Sequence, residues 1–415
     1  MAERLGYVTG KRILVVTQHF YPENFRINDI VSGFVEDGYE VDVLCGLPNY
    51  PEGEWFPGYT EKGPFEETFE KANVFRAKEI PRKGNTSIRI FLNYVSWPIR
   101  AFFRVSSLPG RYDSVFCYNT SPVLMIIPAI RASKKFKAPL VVYVLDIWPE
   151  NLYTVLPISS KWLKNIASRI SDMLYSKADR LIAMSVSLQQ RLFDRVGSKC
   201  RSVHVVPQHA EDFYTLLKRD SELHERFDGK TNLVFAGNFS PAQGLDCLIK
   251  AIGKAHRNGF DDLHLLMVGD GMSRASLEQL VKEEGLTGHV TFYGRVEAHD
   301  IPQFSELADA MVVSLAENKD LELTIPAKVA SCMAAGRPII ACLDGEGATA
   351  VRQAECGYVS PAGDIDSLAN NLMRFRDASG NELAMFGANA RRYFDARFSR
   401  KKVISDLETL LFEER

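Results

Sequence analysis

Long apolar runs are missing from this 415-residue chain. No stretch of about eighteen apolar residues occurs, which excludes a helix that spans a membrane, and nothing of signal length lies between Met1 and Gly10. Cysteine is sparse and scattered. The seven (Cys45, Cys117, Cys200, Cys247, Cys332, Cys342, Cys356) are odd in number and never spaced C-x-x-C, which argues against a disulfide framework or a zinc site and for a reducing cytosol. An excess of one charge is missing too: 50 Lys and Arg face 52 Asp and Glu, a net charge of −2, so nothing global attracts nucleic acid. Any affinity for phosphate or a membrane must be local. Finally, no G-x-G-x-x-G follows the first apolar run at Thr17, and Gly269-Asp270-Gly271 sits on a later one, which weighs against a dinucleotide oxidoreductase.

What is present is one grammar spoken twice. Ile13-Leu14-Val15-Val16-Thr17 reads as a strand, followed by a loop over Gln18 to Asn28 and a helical pattern through Ile30, Phe34 and Gly38. Strand signals recur at Val41 to Leu44, Ser114 to Tyr118, Leu140 to Leu145 and Arg180 to Met184. Continuous apolar runs separated by helix-length segments mean an α/β fold with a parallel sheet covered on both faces. The pattern pauses between Val203 and Asp220, then restarts at Asn232 to Gly237 and continues at Leu263 to Gly269, Val290 to Gly294, Ala310 to Ser314 and Pro338 to Ala341. Two doubly wound halves are therefore expected, over 1–210 and 211–395, with a helical tail over 396–415 that can pack back on the first half. Ligands of such sheets bind beyond the carboxyl ends of the strands.

In the second half, Phe235-Ala236-Gly237-Asn238-Phe239 with Gln243-Gly244-Leu245, Val268-Gly269-Asp270-Gly271, Phe292-Tyr293-Gly294-Arg295-Val296, Met333-Ala334-Ala335-Gly336-Arg337-Pro338 and Cys356-Gly357-Tyr358-Val359 follow one another in order. This ordered set resembles the family 4 glycosyltransferases, retaining enzymes of GT-B fold that use nucleotide sugars. Tyr21-Pro22-Glu23, Pro48-Asn49-Tyr50-Pro51 and Asp146-Ile147-Trp148-Pro149-Glu150 look like one branch of that family, the bacterial surface-polysaccharide transferases that include N-acetyl-fucosamine transferases. The resemblance implies a UDP-sugar donor, with an N-acetylated hexosamine or its 6-deoxy relative as the sugar. It further implies a lipid-diphosphate-linked glycan acceptor, work at the inner face of the cell membrane in O-antigen or lipopolysaccharide synthesis, and no metal or other cofactor. The chain also departs from the wider pattern. The two glutamates usual before the Ala-Gly-Lys-Pro-like turn are replaced by Leu323 and Ser331, with Glu322 one place away. The basic pair that usually holds the diphosphate is replaced by Asn238 and Gln243, and the Gly-Gly pair of the first loop falls near Phe25-Arg26.

Glycosyl transfer requires a departing diphosphate to be stabilised while an oxocarbenium-like centre forms, so other cations must be sought. Thr324-Ile325-Pro326-Ala327-Lys328 reads as a helix start, where unpaired N–H groups and the positive dipole end suit an anion. Lys328, one turn into that helix, is the first catalytic candidate; the alternative is a solvated helix lysine. Arg26 is a second cation for the diphosphate, or a surface arginine. Asn238 and Gln243 position phosphate through uncharged donors, and Gly269 and Asp270 join the substrate-binding set with them. Arg295 follows the turn at which, by the resemblance, backbone atoms recognise the base. Glu322 suits a ribose hydroxyl, or is a solvated carboxylate, and Gly345-Glu346-Gly347 reads as a flexible carboxylate loop, a candidate sugar contact. Asp146 ends an apolar strand and is the second catalytic candidate, orienting acceptor or donor sugar, or else an N-cap. His19 is either a phosphate or acceptor contact or structural.

The stretch from Ile88 to Tyr112 mixes Arg89, Arg100, Arg104 and Arg111 with Phe91, Tyr94, Trp97, Phe102 and Phe103. Basic residues beside large aromatics suit an interfacial helix, so membrane contact is expected through 88–112. The alternative is that its apolar face packs inside the first half, with Pro98 breaking or kinking the helix. Rival functions are a sugar-nucleotide epimerase of the same architecture and a non-catalytic sugar-nucleotide-binding partner, the latter suggested by Ser331 in the second glutamate's place.

Overall fold

Strands whose side chains are apolar on both faces need cover on both faces, and the chain supplies it twice. The computed structural model describes residues 10–149, 160–319 and 321–413. It divides into two units, Met1–Val206 with Ile404–Arg415, and Pro207–Val403. Unit 1 carries β1 (Arg12–Val16), α1 (Ile27–Glu36), β2 (Glu40–Gly46), β3 (Glu66–Phe69), β4 (Ala72–Ala77), α2 (Ser87–Arg104), β5 (Ser114–Asn119) and α3 (Ile126–Phe136). It continues with β6 (Leu140–Val144), α4 (Lys161–Tyr175), β7 (Arg180–Ala183), α5 (Val186–Val196) and β8 (Ser202–Val205). Its 8-stranded sheet has the order β3-β4-β2-β1-β5-β6-β7-β8, parallel except where β3 runs against β4. Leu14 and Val16 of β1 enter the core beneath α2 and α3, while Ile13 and Val15 on the opposite face are equally buried.

Unit 2 starts with the short α6 (Ser221–Arg226), then β9 (Thr231–Ala236), α7 (Leu245–Arg257), β10 (Leu263–Val268), α8 (Arg274–Glu283), β11 (Val290–Gly294), α9 (Ile301–Leu307) and β12 (Ala310–Ser314). After these come α10 (Ala327–Ala334), β13 (Ile339–Cys342), α11 (Gly345–Ala354), β14 (Gly357–Ser360), α12 (Ile365–Asp377) and α13 (Gly380–Arg397). The 6-stranded sheet has the order β11-β10-β9-β12-β13-β14, so β9 neighbours both β10 and β12 at the point where the winding reverses. Alternate residues of β9 feed two cores, Val234 into one and Leu233 with Phe235 into the other, as a sheet covered on both faces requires.

The last helix, α14 (Arg400–Phe412), belongs to unit 1 from Ile404 onward. Phe412 stacks on Tyr39 with ring centroids 5.1 Å apart, and Arg180 donates to the carbonyl oxygens of Leu410 (3.2 Å) and Glu413 (2.7 Å). The return of the tail to the first half thus has named partners. Four strands escape the sequence reading: β3, β4, β8 and β14. Two carry charge on the strand itself, as with Glu66 in β3 and Arg76 in β4, which hides the apolar signal. Helix α2 runs unbroken through Pro98, which corrects the expected break; the ring is buried in the helix with the N-terminal half still capped, Thr86 accepting from the Arg89 N–H.

Candidate functional site

The carboxyl ends of β9, β10, β11 and β12 in unit 2 are joined by backbone. The N–H of Gly237 donates to the Val268 carbonyl (2.8 Å), that of Phe239 to Asp270 (2.9 Å), that of Gly269 to Gly294 (2.8 Å) and that of Ala316 to Ala242 (2.9 Å). These bonds fold the loop after β9 over the end of β10. Gly269 makes the fit possible: its φ is +140°, and a Cβ there would stand 1.9 Å from the Gly237 carbonyl oxygen. Gly345 does the same on the other side, where a Cβ at φ +68° would meet the Glu322 carbonyl oxygen at 2.2 Å. A ring of loops closes around the start of α10.

Lys328 occupies that ring. Its ammonium donates to Gln243 Oε1 at 2.9 Å and lies over the Phe235 ring, 3.5 Å from the centroid. The residue as a whole is half-buried, but the nitrogen itself is enclosed, and loss of water draws its pKa down to about 7. Among the described residues no carboxylate compensates it; only the neighbouring Cys332 thiol opposes the shift. A lysine held in this way gains by meeting an anion, since an anion restores the lost solvation. The N–H groups of Ala327 and Lys328 come before the first bond of the helix ladder, from Val329 N–H to Pro326 O at 2.9 Å, and add donors at the same end.

Two expectations are corrected here. The helix begins at Ala327, not Thr324, because Pro326 holds an extended conformation (φ −60°, ψ 137°) as its N-cap and a residue before proline avoids the helical region. Lys328 is therefore in the first turn, nearer the dipole end than expected. Gly345-Glu346-Gly347 is not a flexible loop but the opening of α11, with Glu346 in its first turn.

The remaining candidates of this unit fall around the ring. Gln243 is half-buried and tied to Lys328; Asn238 is exposed, its Oδ1 2.5 Å from where a Cβ of Gly271 would stand. Asp270 accepts from the Gly271 N–H (2.8 Å) and pairs with Arg274 (3.4 Å). Arg295 is exposed beyond β11. Glu322, Thr324, Ile325 and Pro326 are half-buried, and the Pro326 ring is 2.9 Å from where a Cβ of Gly347 would sit. Ser331 spends its hydroxyl on the Ala327 carbonyl (3.1 Å). Phe235, which carries Lys328, was not singled out in the sequence; an aromatic inside an apolar strand gives no sign of such use.

In unit 1 the ends of β1, β2 and β4 enclose a polar cluster. Glu23 accepts from the N–H groups of Asn49 and Tyr50 (2.7 Å each) and from His19 Nδ1 (2.8 Å). Arg82 approaches His19 Nε2 at 3.4 Å; a guanidinium only donates, so Nε2 accepts and Nδ1 carries the proton toward Glu23. Both ring nitrogens of buried His19 are thus engaged inside the unit, and the ring stacks on Phe25 at 4.9 Å, so it braces the loop. Gln18 Nε2 reaches Glu79 (2.8 Å) and Asn93 (2.9 Å), and Asn49 also donates to Glu79. Burial, then the neighbouring Glu23, pushes the Glu79 carboxyl up to about 8. Glu79, Arg82 and Asn93 were missed in the sequence because they follow a strand that was not recognised. Arg26 stands at the N-cap position of α1 without a side-chain capping bond and acts electrostatically on Tyr143, and Asp146, part-exposed, follows β6. Glu150, the last residue of the Asp146 motif, lies outside the described residues.

Helix α2 has two apolar faces. Tyr94, Trp97 and Ala101 are buried in the core, whereas Ile88, Phe91, Leu92, Ile99 and Phe103 face outward, Ile88 and Phe103 at 73% and 66% exposure. Within 88–112, Tyr94 and Trp97 thus pack inside the unit, as the alternative to membrane contact expects, whereas Phe91 and Phe103 do not. Among the described residues no helix is long and apolar enough to cross a membrane, and no three His, Cys, Asp or Glu gather as for a metal ion. All seven cysteines are buried and unbridged.

Comparison with known proteins bears on both units. Residues 24–209 match the family model "Glycosyl transferase 4-like domain" and residues 230–377 match "Glycosyl transferases group 1". Alpha-D-kanosaminyltransferase of Streptomyces kanamyceticus is 26% identical over 200 residues, 44% of this chain and 50% of the relative. N-acetyl-alpha-D-glucosaminyl L-malate synthase of Bacillus anthracis is 24% identical over 48% of this chain and 49% of its own length. The chain thus aligns with about half the length of these curated relatives. A 2-deoxystreptamine N-acetyl-D-glucosaminyltransferase of Niallia circulans aligns over 84% of this chain and 87% of its own length at 22% identity. The solved structure of Anabaena HepE in complex with UDP has a TM-score of 0.68 at 17% identity, covering 97% of this chain and 99% of that one. WaaG, a glycosyltransferase involved in lipopolysaccharide biosynthesis, has a TM-score of 0.63 at 14% identity, covering 97% of this chain and 100% of that one. At such identities the likeness establishes the two-domain GT-B fold.

Proposed function

We propose, on the premise that this chain belongs to the GT-B glycosyltransferases of family 4, that it is a retaining hexosyltransferase moving a sugar from a UDP-sugar to a glycan acceptor. The observation that carries this reading is Lys328, a lysine with no carboxylate beside it among the described residues, fixed by Gln243 and Phe235 at the open end of α10. The donor set there, one ammonium, the free N–H groups of the first turn and the amides of Asn238 and Gln243, suits a diphosphate. UDP is the nucleotide named with the HepE structure. In the reaction Lys328 meets the charge that grows on the departing diphosphate, and Gln243 holds it in place. The reading gives that task to the lysine and includes no metal.

The donor sugar is an N-acetylated hexosamine or 6-deoxyhexosamine, the former being a class named among the relatives. Asp146, after β6 in unit 1, orients a hydroxyl, and Glu322 serves the ribose. No covalent nucleophile is assigned. The acceptor is a lipid-diphosphate-linked glycan in surface polysaccharide synthesis, and the protein works at the inner face of the cell membrane, held there by the outward apolar stripe of α2. Incubation with UDP-sugars and a lipid-linked acceptor should release UDP only when both are present. UDP-sugar bound tightly but never turned over, across a donor and acceptor panel, would leave a binding protein in place of an enzyme.

A further inference from the structure

Unit 1 holds a cavity of about 430 Å³ between the β3–β4 hairpin and the C-terminal half of α2, walled by Phe65, Arg76, Lys78, Arg100, Phe103 and Arg104. Its volume lies in the range of roughly 300–1,000 Å³ usual for small-molecule sites. Four of those six side chains are cations. Two are already neutralised: buried Arg76 pairs with Glu67 and donates to the Gly46 carbonyl, and Arg104 pairs with Glu66. The other two, Lys78 and Arg100, are exposed and have no acidic partner among the described residues, Lys78 lying only over the Phe65 ring at 5.6 Å. A cavity with two uncompensated cations against two aromatic rings is suited to a phosphate group rather than to a neutral sugar.

The surroundings say where that phosphate comes from. Phe103 is both a wall of the cavity and two-thirds exposed, and Ile99, one turn earlier on α2, is 53% exposed. The mouth is therefore bordered by the same apolar stripe that reaches Ile88 and Phe91. A phosphate free in water gains nothing from such a border, whereas a phosphate on a lipid arrives together with acyl chains that cover it.

We infer that the Lys78–Arg100 cavity binds the phosphate headgroup of an anionic membrane lipid while the α2 stripe enters the bilayer boundary. This rests on the membrane contact proposed above and adds a headgroup site to it. The test uses the full chain and vesicles of phosphatidylcholine, with or without phosphatidylglycerol. The variant Lys78→Gln/Arg100→Gln should bind phosphatidylglycerol vesicles about 30-fold more weakly, from about fivefold per cation near the surface, and should show a weaker salt dependence. Its binding to pure phosphatidylcholine should match the parent protein, and circular dichroism should be unchanged because both residues are exposed. Ile88→Ser/Phe91→Ser, away from the cavity, should weaken binding to both vesicle types. If the glutamine pair binds phosphatidylglycerol like the parent while the serine pair does not, the headgroup site is wrong and the membrane contact stands. If neither pair changes binding, both fall. Binding of inorganic phosphate at Lys78 and Arg100 without any preference for phosphatidylglycerol vesicles would overturn the lipid assignment.

Discussion

Lys328 makes a demand on the pH profile that few other residues of this chain could make. Its pKa of about 7 belongs to the free protein, with the ammonium enclosed by Phe235 and Gln243. The free-enzyme group is what kcat/KM reports. With that pKa about half the molecules carry the charge at pH 7 and about one in a hundred at pH 9, so kcat/KM should fall about fifty-fold between them if only the charged form works. Lys328→Arg keeps a cation at every accessible pH, so this decline should vanish even if the maximum rate drops. Lys328→Met should run about 10²–10³-fold slower in kcat, the equivalent of one lost donor at about 3–4 kcal/mol, with a flat profile. The linked stability has a definite sign as well. The unfolded chain keeps the lysine proton up to the ordinary value near 10.5 while the native protein releases it near 7, so this residue makes the native state more stable as pH rises through that window. A wild-type kcat/KM that stays level from pH 7 to 9, or a methionine variant as fast as the parent, refutes the assignment.

Gly269→Ala should abolish UDP binding measured by calorimetry, since the new methyl would stand 1.9 Å from the Gly237 carbonyl oxygen and force the loop after β9 off β10; nucleotide affinity within twofold of wild type would show that the loop is not part of the site. In unit 1, the Glu79 carboxyl is raised to about 8, so the native state binds more protons than the unfolded chain between the ordinary 4.5 and 8, and stability should fall as pH rises through that window. Glu79→Gln should flatten the melting temperature between pH 6 and 8.5, and an unaltered slope would locate the titration elsewhere.

The two wound halves were legible because their strands are uninterrupted apolar runs such as Leu140–Val144, which admit few other readings. The ring at α10 was legible only in part. Thr324 to Lys328 marked the right helix, yet the start was misplaced because Pro326 serves equally well as a first-turn residue or as a cap, and only the backbone decides. Gln243 was read as a weak substitute for a phosphate-binding cation, whereas its position relative to Lys328, 85 residues along the chain, makes it that lysine's partner. A contact of such sequence separation leaves no trace in a single chain. The cluster of Glu79, Arg82 and Asn93 stayed hidden for a related reason: β4 contains Asn73 and Arg76, whose polarity masked the strand that delivers it.

The last helix joins the first unit although the whole of Pro207–Val403 intervenes. During translation the part of unit 1 that ends at Val206 must therefore wait, with Tyr39 and Arg180 uncovered, until a second unit has left the ribosome and the stretch from Ile404 follows it. Clipping the polypeptide after Val403 would spare every strand and still leave the earlier-made unit short of one wall.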